Sequence, residues 1–198
     1  MRKVYLHFTI VCSIFISSLY SGEISDNISV KSAVIFNTLC AKCHEGQCSG
    51  RLTFDTGSEA ASNHIKRYSA DVNISKDEIT EFFTLLNYMK KDCLLFMPKG
   101  IKYKKENLLS FSTLSHKRYF IPLGRLKKGE YLISLHIKEN IHYSMEIISS
   151  QFDSYFSQTI CPDAKKKVYE FSVDEDTNFF LRIQSKEPLN LEKLDIYQ

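Results

Sequence analysis

Five residues carry the clearest chemical signal in the chain: Cys40-Ala-Lys-Cys-His44. Two thiols three positions apart on a helical turn project from one side, and an imidazole follows the second at once. A thiol adds across a vinyl group to give a thioether, so such a pair can fasten a porphyrin by its two vinyl substituents. The adjoining imidazole is then placed to donate a nitrogen lone pair to iron. Cys-x-x-Cys-His is the attachment signature of c-type haem. One covalent haem, held by Cys40 and Cys43 with His44 on the iron, is therefore the expected cofactor. Two other uses of paired cysteines fit less well. A thioredoxin-like redox pair calls for a preceding strand in a βαβ unit, and no such pattern precedes Cys40. A structural zinc site needs a second pair of ligands, which Cys48 and a distant cysteine supply poorly.

The N-terminus sets the compartment in which this chemistry would take place. Arg2 and Lys3 precede an apolar stretch at 8–16, and the small residues Ser17, Ser18, Ser21 and Gly22 come before the first acid, Glu23. That is the layout of a secretory signal peptide, expected over 1–22. The apolar stretch falls short of the roughly 20 residues that span a bilayer. Cys12 lacks the preceding small residue of a lipoprotein signal. A chain exported to the periplasm, and not integral to the membrane after cleavage, is expected. The formal net charge is +3, of which Arg2 and Lys3 supply two, and no arginine-rich stripe occurs. Nucleic acid is not an expected partner. The clusters Lys102, Lys104, Lys105 and Lys165, Lys166, Lys167 read as solvated turns.

Behind the motif stand elements of two textures. From 25 to 98 apolar residues recur at helical spacing. A first helix is expected over 29–43, running into the motif on a loose stripe of Val30, Ala33, Val34, Phe36 or Asn37, and Leu39. A second is expected over 58–68. A third starts at Ser75, which forms a capping box with Glu78. It continues through Ile79, Phe82, Leu86, Met89 and Cys93, with Lys90 and Lys91 in the last turn, where cations suit the helix dipole. Pro98, Gly100 and a run of charges mark 99–106 as a linker. From 107 onward the pattern alternates in short runs, with strands expected at 117–122, 131–137, 142–148, 168–173, 179–183 and 189–196. A long loop is expected at 151–167. Such strands in about 90 residues suggest an antiparallel β-sandwich.

The helix leading into Cys40-Ala-Lys-Cys-His44, a loop-rich middle and the closing amphipathic helix resemble a small class I cytochrome c. The likeness covers residues 28–97. It implies an all-α haem domain in which the first and last helices cross beside the haem. The whole is then an α+β multidomain protein: a cytochrome c-like domain (25–98), a linker (99–106) and a C-terminal β-sandwich (107–198). The family supplies a methionine as second axial ligand from the segment between motif and last helix, but residues 45–74 contain none. His64 is the imidazole of that segment and is the expected sixth ligand. Met97, just past the third helix, is the alternative, and an open iron is a third arrangement. Met89 reads as core and Met145 as a strand residue. Arg51 and Arg67 are the arginines closest in sequence to the haem, and their forked guanidinium groups suit propionates; Tyr68 can add a hydrogen bond.

Six cysteines are present. With Cys12 removed and two on haem, Cys48 and Cys93 form a candidate disulfide, and Cys161 is left over. No hydrolytic constellation is evident, and His116, His136 and His142 read as ordinary strand-region residues. The expected function is one-electron transfer to a redox partner protein rather than enzymatic turnover, with the sandwich as docking or binding module. A haem-based sensor or small-ligand-binding protein with an open iron site is the alternative. Bis-histidine ligation would lower the potential relative to histidine–methionine ligation.

Overall fold

The computed structural model describes residues 28–44, 58–68, 73–113, 115–162 and 168–198. The expected signal peptide, Cys48 and Arg51 lie outside these residues. Among the described residues no helix is long and apolar enough to cross a membrane.

The first helix is not a plain α-helix. It begins as α1 (Val30–Ile35), widens into a π-helical segment (Phe36–Cys40) and closes as α2 (Ala41–His44). Ser29 caps it by accepting from the Ser32 amide at 3.1 Å. Seven consecutive residues, Ser32 to Thr38, are buried, so this helix is covered all round rather than on one stripe. The π segment advances fewer degrees per residue than an α-helix. That drift is why Phe36 and Asn37 compete for the same place in the apolar stripe.

Next come α3 (Ser58–Tyr68) and α4 (Lys76–Asp92). The capping box at the start of α4 is present as expected. The Glu78 amide donates to Ser75 Oγ at 3.2 Å, and the Ser75 amide to Glu78 Oε2 at 2.7 Å. Ile79, Phe82, Leu85, Leu86 and Met89 form the buried face. Lys90 and Lys91 occupy the last turn as expected. Lys90 is as buried as Met89, at 1% exposure, and burial holds its amine below the usual lysine range. Cys93 stands beyond the helix as its C-cap, in the left-handed region at φ 51°.

A 3₁₀ helix (Lys105–Phe111) leads into seven strands: β1 (Arg118–Leu126), β2 (Gly129–Ile137), β3 (Tyr143–Ser149), β4 (Ser154–Ile160), β5 (Val168–Val173), β6 (Thr177–Ser185) and β7 (Leu191–Tyr197). They form a four-stranded sheet, β1-β6-β3-β4, and a three-stranded sheet, β5-β2-β7, with every pairing antiparallel. The protein is thus α+β, with a helical region followed by a β-sandwich-like region. Part of the expected loop at 151–167 is the strand β4. Its Ser-Tyr-Phe-Ser-Gln-Thr-Ile sequence carries too few apolar residues to show the period. Pro122 is tolerated because β1 is an edge strand, and the register shifts beside it, where Gly124 takes φ +87°.

The two sheets differ in what covers them. β5 alternates exposed and buried throughout, and in β2 Tyr131, Ile133 and Leu135 face inward while Glu130, Leu132 and His136 are exposed. That sheet has one wet face. The other sheet has none over its centre: Tyr119 to Leu123 and Phe179 to Ile183 are buried without interruption, the mark of strands covered on both sides. The Phe120 and Phe180 rings stack at 4.8 Å on the outer side, and Arg182, 2% exposed, pairs there with Glu146 at 2.9 Å. On this same side the Gln184 amide donates to the Thr38 carbonyl at 3.1 Å. The first helix is therefore the layer over the four-stranded sheet, and one apolar cluster runs from α1 and α4 through both sheets. Residues 99–106 follow this cluster, with Ile101 and Tyr103 packed against it.

Candidate functional site

The motif sits where the buried first helix emerges. Within the π segment the Ala41 amide donates to the Phe36 carbonyl, five residues back. Thr38 Oγ donates to the Val34 carbonyl at 2.8 Å and lies 3.3 Å from that of Ile35, a back-bond that bends helices. Asn37 Nδ2 reaches out to the Phe96 carbonyl at 2.9 Å. Ser29 donates through both its amide and its hydroxyl to Glu81 Oε2, and Lys31 Nζ meets Glu78 Oε1 at 2.6 Å. The helix carrying the motif is therefore fastened to α4, to the segment after α4 and to β6.

Cys40 is half-buried against the core, and Cys43, one turn on, is exposed. Both carry free thiols. Burial, and then the neighbouring Cys43, push the Cys40 thiol up to about 12. The two sulfurs are thus near each other at the boundary between core and surface. His44 is the last residue of α2; its imidazole, like Cys48 and Arg51, lies outside the described part of the chain.

No family model matches the chain, and comparisons with curated proteins and with solved structures give no match.

The remaining residues singled out from the sequence are distributed as follows. His64 and Arg67 are exposed on α3, which packs against α4. The His64 ring lies 4.7 Å from that of Tyr68, itself 64% exposed. Met97 is half-buried against the core, one residue beyond the carbonyl that Asn37 holds. Met89 and Met145 are core residues, each 1% exposed. Cys161 is an exposed free thiol after β4. His116 Nδ1 is 2.8 Å from Ser112 Oγ, and His136 is 3.6 Å from Glu192. His142, exposed, precedes β3. Among the described residues no group of three or more His, Cys, Asp or Glu side chains is arranged to hold a metal ion. Sequence reading missed Asn37, Thr38 and Gln184 as supports of the motif. A polar pair in the middle of an apolar helix was the available signal, since Asn and Thr there compete with the helix's own hydrogen bonds.

Proposed function

We propose that this protein is a mono-haem c-type cytochrome, exported to the periplasm, that passes single electrons to and from a redox partner protein. One observation carries the reading. Cys40-Ala-Lys-Cys-His44 closes a helix with two free thiols close together, Cys43 at the surface and Cys40 at the edge of the core. That donor set suits thioether attachment, and a haem so bound supplies a one-electron couple. Cys40 and Cys43 would hold the haem, each thiol adding across one vinyl group with sulfur going to one vinyl carbon and hydrogen to the other. His44 would ligate the iron. Contacts of Ser29 and Lys31 with α4 support reading 25–98 as a cytochrome c-like domain whose first and last helices meet. His64 would be the second iron ligand in this reading, with Met97 the competitor. Arg51 and Arg67 would face propionates. The wet face of the β5-β2-β7 sheet is open to a partner.

Mass spectrometry of the purified protein tests the assignment. One covalent haem is expected, lost in a Cys40→Ser, Cys43→Ser double variant; an unmodified wild-type chain would sink it. His64→Ala is expected to turn low-spin iron high-spin and open it to CO. If Met97→Ala does so instead, the ligand is Met97. A high-spin wild-type protein would favour the open-iron sensor.

A further inference from the structure

A π-helical turn leaves the backbone ladder one residue out of step, and the carbonyls in it make poorer intrahelical bonds than those of an α-helix. Two hydrogen bonds tie this turn to chain outside the helix. Asn37, within it, is tied to the Phe96 carbonyl. The Thr38 carbonyl, two residues before Cys40, accepts from Gln184 Nε2 of β6. The strand that supplies Gln184 is a central one, paired on both sides by β1 and β3, and its neighbour Arg182 is fixed by Glu146 and lies over the Phe120 ring at 6.0 Å. The donor is thus mounted on one of the most rigidly held strands in the molecule, and the acceptor on the turn that determines where the motif points.

We infer that Gln184 is a positioning residue for the attachment motif, so that the β-sandwich sets the geometry of Cys40 and His44 in the finished protein as well as serving as a module beside it. The inference about the haem rests on the function proposed above; the inference about the helix does not. With a haem attached, displacement of the π turn would move the segment that carries Cys40, Cys43 and His44.

The test compares the full chain with Gln184→Leu, which keeps bulk and removes the donor, and Gln184→Lys, which restores a donor of similar reach. Amide hydrogen exchange is expected to quicken about five-fold at Ala41 to Cys43 in Gln184→Leu, the change for loss of one neutral hydrogen bond. Amides of Ile121 and Leu181 are expected to hold, and Gln184→Lys to restore the slow rates. The reduction potential of the haem is expected to shift in Gln184→Leu and return in Gln184→Lys. Unchanged exchange at Ala41 to Cys43, or quickening shared by Ile121 and Leu181, overturns the positioning role. Looser amides with an unmoved potential overturn its reach to the haem. A wild-type chain without haem overturns the proposed function, and the exchange comparison still decides the role of Gln184.

Discussion

Cys40 and Cys43 have the same side chain and different surroundings, and this separates their chemistry. The thiolate is the reactive form of cysteine. Burial, with Cys43 beside it, raises the Cys40 thiol to about 12, so at neutral pH Cys40 is held as the thiol. Cys43 is exposed. In haem-free protein treated with limiting iodoacetamide near pH 8, peptide mapping should find Cys43 alkylated well before Cys40, and unfolding the chain should abolish the order. Equal rates in the folded chain would mean that Cys40 is not shielded.

Among the elements, α4 was the most legible, and its cap gives a pH test. Burial of Glu78 opposes its ionisation, but Lys31 and the amide and hydroxyl of Ser75 outweigh it and hold the carboxyl below its usual range. A lowered folded value means that the ionised form stabilises the fold above the unfolded value, near 4.3. The contribution disappears as pH falls through the lower folded value. Glu78→Gln keeps the box geometry and removes the charge. It should cost about 1 kcal/mol at pH 7, with the difference closing below about pH 4; a gap independent of pH in urea titrations would assign the effect to packing. α4 was readable because its cap and its apolar stripe agree. The first helix was readable in extent and not in type, since a π turn breaks the period by which helices are recognised. β4 was hidden by its serines, glutamine and threonine. The alternating pattern expected from 107 onward fails at the unbroken runs Tyr119-Phe120-Ile121-Pro122-Leu123 and Phe179-Phe180-Leu181, which are covered on both sides, and a sequence does not say which element lies over them. The same holds at the site. Residue types single out Cys40, Cys43 and His44 as the candidate, whereas the exposure of His64 and the reach of Gln184 depend on how distant elements pack.

At the scale of the molecule, the helical layer and the sandwich share one cluster of apolar side chains. Removing the helices would bare Phe120, Ile148 and Phe180, and burial of a large apolar side chain contributes roughly 1.5–3 kcal/mol. The full chain should therefore unfold in one transition, followed by circular dichroism and by aromatic fluorescence alike. A fragment of residues 107–198 should bind a hydrophobic dye or aggregate. Two separate transitions, with a soluble fragment that ignores the dye, would show units that fold alone. The bond from Gln184 to Thr38 also has a direction in time, because its partners are 146 residues apart. Thr38 leaves the ribosome first, and at roughly 5–20 residues per second Gln184 follows about 7–30 s later. Through that interval the first helix exists without the sheet that will cover it. The helix that leads into the motif is then most accessible early in the life of the chain, before the last strands arrive and close against it.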